Sequence, residues 1–260
     1  MAIVIVTSAS GAPGATTLAL GLALNWPRPV LLADADPGAH QAVLAGYFAG
    51  RSAHGKGLIR VAEAHRDRRS LREVIIDQTL PLTDDPGPSR LFLPGFAKPG
   101  SAALFAGVWP DLAECFARLA DAGIDVIVDA GRLGAAGLPP ALVDFAACVG
   151  LVTRSHLRAV TSARTYLAVL NEQVAASSSE ARPGLVVIGP DQPYGSAEIG
   201  RALDAPVLAT VADDPAAAAH LSDGRPRPRK FDHSPFAKSV QETAGRLSAT
   251  LQRSAERIRI

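Results

Sequence analysis

Short apolar runs recur along this chain and alternate with longer segments in which apolar residues follow a helical period. The runs cover residues 3–6, 30–33, 91–93, 124–128, 149–152, 185–188 and 207–211. The helical segments between them cover residues 16–24, 103–120, 157–174 and 196–203. Runs this apolar are typical of strands that are covered on both faces. The repeated order therefore predicts an α/β fold, a doubly wound, mostly parallel β-sheet with helices on both faces.

Two stretches interrupt the alternation. Within the first, at about 50–88, the sequence RVAEAHRDRRSLREVIIDQ favours helix and TDDPGPS favours a loop, and we expect this inserted segment to cap one edge of the sheet. The second, SDGRPRPRK at 222–230, predicts a basic loop before a C-terminal helix over about 234–257. Since there is no internal repeat and no linker-like stretch, residues 1–260 are predicted to form a single domain.

Composition narrows the classes of protein to consider. The 260 residues are 48% hydrophobic and 20% charged, enough for a large core, and the formal net charge of +1 favours no polyanionic partner. Cys115 and Cys148 are far apart in apolar stretches, so we expect a reducing cytoplasm and no disulfide or zinc framework. The N-terminus has no signal-peptide pattern, and no run reaches about 18 apolar residues, so secretion and membrane spanning are not expected.

The stretch TSASGAPGATTLALGLA, residues 7–23, follows the first predicted strand and opens the first predicted helix. A glycine-rich turn in this place presents backbone N–H groups and the positive end of a helix to phosphate. Against the pattern G-x-x-x-x-G-K-[ST], the chain has Ala9 for the first glycine and Ala15 for the lysine. It keeps Gly14 and the magnesium-ligand position, Thr16. The chain therefore keeps the glycine turn of a phosphate-binding loop but lacks the positive charge of its lysine.

This loop resembles the deviant Walker motif K-G-G-x-G-K-[ST]-T of the ParA/MinD family of P-loop NTPases, with Ser10 in place of the signature lysine. It is most similar to the TadZ/CpaE-like branch, in which a degenerate loop lacking the second lysine is familiar. The resemblance implies a P-loop NTPase fold of the ParA/MinD type. It also implies that nucleotide contacts come from Gly11, Ala12, Pro13, Gly14, Ala15, Thr16 and Thr17.

Two later segments extend the resemblance over most of the first 135 residues. VLLADADPGAH resembles the second strand and switch segment of the family, where Asp34 and Asp36 match an aspartate pair. GIDVIVDAGRLG resembles the Walker B strand, with Asp129 at its end. The family commonly continues D-x-P-x-G at this point, whereas this chain continues with Gly131 and Arg132. The second switch segment is thus also altered.

The resemblance implies roles that suit these residue types. Thr16, Asp34 and Asp129 would hold magnesium if a nucleotide binds, since carboxylate and hydroxyl oxygens are its usual protein ligands. Asp36 would orient the attacking water if the site is active, as a carboxylate beside the γ-phosphate can. The alternative is that the three aspartates have only structural roles, because aspartates are common as helix caps and at solvated strand ends.

Loss of both lysine positions predicts very slow or absent hydrolysis, because phosphoryl transfer is catalysed mainly by positive charge placed on the phosphates. Binding is a separate matter. Backbone amides, the helix end and magnesium are still available to ATP or ADP, although Pro13 removes one N–H. The segment VVIGP, residues 186–190, lacks the asparagine with which the family often recognises adenine. Both an occupied site and a purely structural turn without a nucleotide remain open.

The resemblance and these residues leave three functions open. The first, which the resemblance implies, is a ParA/MinD-like positioning or scaffolding factor for a pilus or secretion apparatus, for partition or for the division site, with protein partners and a homodimer that depends little on nucleotide. The second is a slow ATPase in which Arg132 or a partner supplies charge in trans. The third is a regulatory module that binds a protein through the old switch surface, residues 36–47, with Tyr47 as the residue to test; ordinary burial of its apolar residues in the core is the alternative.

Two further surfaces allow contact with DNA or an anionic membrane, which would recruit a cytoplasmic protein to the membrane or to a cell pole. One is the basic loop, with Arg225, Arg227, Arg229 and Lys230. The other is the last helix, whose apolar positions share one face; they are Phe236, Val240, Leu247, Leu251 and Ile258. Docking of this helix on the core is the simpler interpretation.

Other enzyme classes lack their motifs. The histidines show no metal-ligand spacing, no G-x-S-x-G elbow occurs, and no G-x-G-x-x-G follows a strand, so metalloproteases, hydrolases and dinucleotide-dependent dehydrogenases are not expected.

Overall fold

The computed structural model describes residues 3–9, 14–51, 53, 55–98 and 100–258, with the backbone alone for 253–258. Its centre is an eight-stranded sheet in the order β3-β4-β2-β5-β1-β6-β7-β8. The strands are β1 Ile3–Ser8, β2 Val30–Asp34, β3 Leu80–Pro81, β4 Arg90–Leu93, β5 Asp125–Arg132, β6 Ala146–Arg154, β7 Pro183–Ile188 and β8 Val207–Val211. All neighbours pair in parallel except β3 and β4. The predicted α/β class is confirmed, and each predicted strand lies within one of these except the run 124–128, which begins one residue before β5.

The helices divide between the two faces of the sheet. They are α1 Ala15–Leu24, α2 Ala42–Ala45, α3 Leu58–Arg66, α4 Leu71–Asp77, α5 Trp109–Leu119, α6 Pro140–Asp144, α7 Leu157–Ala175, α8 Ser196–Leu203, α9 Pro215–Ser222 and α10 Pro235–Ile258. The apolar residues of α3 to α8 pack in one core, and those of α1, α2, α9 and α10 pack in the other. Both faces of the central strands are therefore buried, which explains their continuous apolar sequence.

Two predicted helices are wrong in extent. The single helix expected over residues 60–78 is two helices, because α3 ends where Arg68 takes a left-handed φ of 55° and α4 begins after Ser70. The helix expected over residues 103–120 begins only at Trp109, since Pro110 is favoured in a first turn and disfavoured in a helix interior. A 3-10 turn precedes it at Ser101–Phe105.

Strand β3 was not predicted from the sequence. Leu80 and Pro81 pair antiparallel with Phe92 and Leu91 at the edge of the sheet. Two residues are too few to show a period, and a proline in a strand is tolerated mainly at an edge, where its missing N–H leaves no ladder bond unmade. The inserted segment does reach the sheet edge, through this strand.

Helix α10 lies against the core over the part whose side chains are described. Phe236, Val240, Leu247 and Leu251 are all buried. Contact with α1 is close, since a Cβ at Gly21 would lie 3.0 Å from Cγ1 of Val240. The side chain of Ile258 lies outside the described residues. The described apolar face of α10 is thus occupied by the protein's own core.

A buried polar cluster ties β2 to β5 at the end of the sheet where both strands begin. Asp125 is 3% exposed and accepts a hydrogen bond from the indole N–H of Trp26 at 2.7 Å. The Arg28 guanidinium contacts the same carboxylate oxygen at 2.7 Å. Burial raises the pKa of Asp125, and the hydrogen bond from Trp26 and the charge of Arg28 oppose that rise. The carboxylate is well held because two donors meet it.

Replacing Asp125 should test this tie. Asp125→Ala leaves the buried indole N–H and one guanidinium without their acceptor, and we expect a loss of roughly 2–4 kcal/mol in the free energy of unfolding. Trp26→Phe removes one donor and keeps the ion pair, but the cavity left by the fully buried indole adds to its loss. Urea unfolding followed by circular dichroism measures both. A loss below about 0.5 kcal/mol in Asp125→Ala would show that the cluster contributes little.

Candidate functional site

The carboxyl ends of the central strands open into one cleft of about 1190 Å³. Ligands of open α/β sheets bind at this edge, beside the point where strand order reverses, and here β1 lies between β5 and β6. Residues from the two halves of the sheet line the cleft together. They include Ser8, Ala9, Gly14, Ala15, Thr16, Thr17, Asp36, His40, Gly131, Arg132, Arg154, Ser162, Tyr166, Asp213, Asp214 and Phe236.

The described end of the predicted phosphate loop, from Gly14 onward, lines this cleft. Gly14, Ala15, Thr16 and Thr17 line it, whereas Gly11, Ala12 and Pro13, with Ser10, lie outside the described residues. Gly14 has a left-handed φ of 102°, a conformation that favours glycine, and its carbonyl accepts the N–H of Leu18 in the first turn of α1. The helix thus begins at the cleft, and its first turn carries no acidic residue.

Asp34 and Asp129 lie side by side, because the parallel register of β2 and β5 makes them direct partners. An oxygen of Asp34 accepts the backbone N–H of Asp36 at 3.1 Å. Oδ1 of Asp129 accepts the N–H of Gly131 at 3.0 Å. Oδ2 of Asp129 is buried and accepts no hydrogen bond of normal geometry within the described residues, although the Thr16 side chain is close enough to the carboxylate to favour its charged form. The pair therefore presents an acceptor that only a cation, a proton or a donor can satisfy.

Burial and mutual repulsion make this pair hard to ionise. Burial, followed by the charge of Asp129, raises the pKa of Asp34 to about 8. Burial also raises the pKa of Asp129 to about 6, although the side chain of Thr16 and the N–H of Gly131 oppose the rise. Because the Thr16 side chain affects the pKa of Asp129, these two residues lie close together; both are among the three expected to hold magnesium. A divalent cation would relieve the repulsion that a proton otherwise relieves.

Asp36 lies next to this pair and is engaged by its own loop. One of its oxygens accepts the N–H of Gly38 at 2.8 Å, and the other lies 2.7 Å from Nδ1 of His40. Its carboxylate also packs on Gly131, where a Cβ would lie 2.4 Å from Cγ of Asp36. Asp36 is thus held in a fixed orientation at the cleft, with its carboxylate against Gly131.

Several cleft residues were missed by the sequence analysis. Arg154, at the end of β6, forms an ion pair of 2.8 Å with Asp213, which follows β8. The hydroxyl of Ser162 donates to the carbonyl of Ala9 at 3.3 Å and so holds the start of the phosphate loop against α7. Arg154 and Asp213 could have been found from the sequence, because each is a charged residue at or just beyond the end of an apolar strand. Ser162 gave no such signal, because its position depends on how α7 packs.

The switch surface expected over residues 36–47 is exposed in part, at Pro37, Gly38, His40 and Ala45, but its larger apolar side chains turn inward. Val43 and Leu44 are buried, and the hydroxyl of Tyr47 donates to the carbonyl of Leu82 at 2.8 Å. Tyr47 also makes an edge contact with the Phe48 ring. Replacing Tyr47 would therefore disturb packing, and it is a poor test of a protein-binding surface.

The basic loop is exposed but partly engaged. Arg227 forms an ion pair with Asp232 and lies 5.3 Å from the centre of the Phe231 ring. Arg225, Arg229 and Lys230 are exposed. Within the described residues, no helix is long and apolar enough to cross a membrane.

The acidic pair predicts a pH dependence of stability. An aspartate with a folded pKa of about 8 and an ordinary unfolded pKa stabilises the fold while protonated, so the free energy of unfolding should fall as pH rises between about 4 and 8, by up to roughly 1.4 kcal/mol per pH unit. Asp34→Asn should flatten this slope and be more stable than wild type by roughly 2–4 kcal/mol at pH 7.5 without magnesium. Denaturant titrations across this pH range measure the effect.

The matched control is Asp129→Asn. Because the pKa of Asp129 reaches only about 6, this variant should change the slope over a narrower window that ends near that pH. An unchanged slope in Asp34→Asn would contradict the assignment of the buried proton to Asp34.

Comparison with known proteins gives a likeness in structure alone. No protein-family model and no curated protein matches the chain. A ParA family ATPase from Chlorobium tepidum TLS matches with a TM-score of 0.71 at 15% identity, over 94% of this chain and 98% of that one. A chain of the MinC:MinD cell division protein complex of Aquifex aeolicus matches with a TM-score of 0.71 at 16% identity, over 96% of each chain.

A third solved structure contains a ligand. The septum site-determining protein MinD from Pyrococcus horikoshii OT3, complexed with Mg-ADP, matches with a TM-score of 0.67 at 19% identity, over 95% of each chain. At these identities the likeness concerns the backbone. The chain thus has the P-loop NTPase fold of ParA and MinD proteins over nearly its whole length.

Proposed function

We propose that this protein is a ParA/MinD-like factor of the TadZ/CpaE-like type that binds an adenine nucleotide with magnesium in the cleft and hydrolyses it very slowly or not at all. Its cellular role would be to position or scaffold a larger assembly. The fold, the cleft at the strand ends and the order of the three motif segments support this proposal.

The observation that carries the proposal is the unpartnered Oδ2 of Asp129. It is buried beside Asp34 and near Thr16, and those three residues are the ones the sequence suggests for magnesium. A buried carboxylate oxygen with no partner is rare unless a ligand completes it. The donor set of two carboxylates and a hydroxyl fits a hard cation such as magnesium.

The residues themselves do not complete a metal site. Within the described part of the chain, no group of three or more His, Cys, Asp or Glu side chains could hold a metal ion. Magnesium in proteins often keeps waters and phosphate oxygens as ligands, so a bound nucleotide would supply the ligands that are missing here. Thr16, Asp34 and Asp129 would then hold the ion, while the start of α1 would face the phosphates. Metal and nucleotide binding should therefore depend on each other.

The same cleft explains why rapid hydrolysis is not proposed. Ala15, in the lysine position, is an apolar side chain that is 6% exposed, and it gives the phosphates no charge. Asp36 is bound to its own loop through Gly38 and His40. A carboxylate in this state can orient a water molecule, but without positive charge on the phosphates the transition state is poorly stabilised.

A positioning role rests on the kinds of protein that share the fold. Their solved structures include a cell division complex, plasmid partition proteins and McdA. Partners of this chain would accordingly be proteins, with a homodimer as one form. A homodimer that lacks the signature lysine would assemble without strict dependence on ATP.

One observation favours a second candidate, a slow ATPase. Arg132 is exposed and lines the cleft one residue beyond Gly131, so a guanidinium is available to a neighbouring molecule. In a dimer or a complex it would contribute transition-state charge in trans, as an arginine finger does.

Calorimetry of the whole chain tests nucleotide binding. With magnesium, ATP and ADP should bind, and removal of magnesium should weaken ATP binding at least tenfold. Ala15→Lys should strengthen ATP binding by about tenfold or more, since it restores one charge-assisted hydrogen bond to phosphate. Ala15→Gln, of similar length without charge, is the matched control. No heat with any nucleotide, and none in Ala15→Lys, would contradict the proposal.

A turnover assay separates the two candidates. Wild type should release phosphate no faster than about one per hour, and Asp36→Ala should leave this rate unchanged, because the rate-limiting deficit is missing charge. A rate that rises with protein concentration and is lost in both Asp36→Ala and Arg132→Gln would support the slow ATPase in place of the first candidate. Thermal melting of each variant serves as the folding control.

A further inference from the structure

Three basic side chains line the described part of the cleft. They are His40, Arg132 and Arg154. His40 is 2.7 Å from a carboxylate oxygen of Asp36, and Arg154 is 2.8 Å from one of Asp213. Arg132 differs, because within the described residues it has no ion pair and no hydrogen-bonded side chain. The cleft therefore holds one guanidinium that no ion pair engages within the described residues.

The backbone on both sides of Arg132 is fixed to the strand that leads into the phosphate loop. The Thr7 hydroxyl donates to the carbonyl of Gly131 at 3.1 Å. The N–H of Leu133 donates to the carbonyl of Ser8 at 2.9 Å. Arg132 itself is the register partner of Ser8, the last residue of β1. Its Cα is thus about one strand spacing, roughly 5 Å, from the start of the loop.

The nearby carboxylates of Asp36 and Asp129 are held by other groups and form no ion pair with Arg132. Asp129 accepts the N–H of Gly131, and Asp36 is bound by Gly38 and His40. The left-handed φ of 60° at Gly131 turns the chain between Asp129 and Arg132, so the buried acid and the exposed base lie at one strand end. An exposed guanidinium on an anchored backbone is suited to phosphate, which it can bind with two parallel hydrogen bonds.

We infer that Arg132 binds the outer phosphates of the nucleotide in its own chain and so replaces the charge that Ala15 and Ser10 do not provide. The ligand class is a polyphosphate, and the contribution of Arg132 grows with the number of phosphates. This inference rests on the proposed nucleotide binding. It differs from the slow ATPase candidate, in which the same side chain acts on a second molecule.

Titration calorimetry with magnesium tests this assignment, using ATP, ADP, AMP and inorganic tripolyphosphate as probes. Arg132→Gln should weaken ATP and tripolyphosphate binding at least tenfold, weaken ADP binding less, and leave AMP binding unchanged. Arg132→Lys should restore part of the loss. Arg72→Gln removes an exposed arginine from a groove formed by α3, α4 and α5, outside the cleft, and should change none of these affinities. Unchanged melting temperatures without ligand would exclude misfolding.

The remaining outcomes separate the role of Arg132 from nucleotide binding itself. Equal ATP binding by wild type and Arg132→Gln, or equal weakening of ATP and AMP, overturns the role of Arg132 and leaves nucleotide binding intact. Tripolyphosphate binding that depends on Arg132, without ATP binding, keeps the phosphate site and rejects the proposed function. Binding of no probe by wild type overturns both. Recovery of ATP binding when Arg132→Gln is mixed with Asp129→Asn would place the guanidinium in trans and reject the assignment within one chain.

Discussion

The parallel register of β2 and β5 fixes the central constraint of this molecule, since it places the carboxylates of Asp34 and Asp129 beside each other in a buried position. Two like charges at such a distance in a low-dielectric interior repel strongly, and a proton or a cation must compensate them. Three features that surround the two carboxylates bear on how their charge is compensated. Thr16 supplies a hydroxyl near Asp129, α1 begins at the same edge, and Asp36 is held aside by His40.

The sheet and its carboxyl edge could be predicted from the sequence because strands buried on both faces are nearly continuous apolar runs. The runs that became β6 and β7 show this, since both ends of each could be read to within a few residues. Asp34 and Asp129 could be found by the same argument, since each lies at or near the end of such a run and parallel strands bring their ends together. Both are buried, and the described lining of the cleft includes neither of them.

What the sequence did not predict depends on contacts between distant segments. The break between α3 and α4 lies at Arg68, a residue whose left-handed backbone has no sequence signal. The ion pair of Arg154 with Asp213 requires β6 and β8 to flank β7 in the sheet, an order that periodicity does not reveal. Ser162 contacts the backbone of Ala9 from a helix that is remote in sequence. The hydrogen bond from Tyr47 to the carbonyl of Leu82 could not be predicted either, because Leu82 lies in the inserted segment, 35 residues further along the chain.

The tie formed by Trp26, Arg28 and Asp125 has a consequence for the cleft at the other end of the same strands. Val30 is the register partner of Asp125, so this tie holds β2 and β5 together where both begin, while Asp34 and Asp129 repel where β2 ends. Attraction at one end of the strand pair thus opposes separation at the other. The proximity of the two acids is therefore a property of the whole strand pair, because the fold holds them closer together than they would remain if the strands were free.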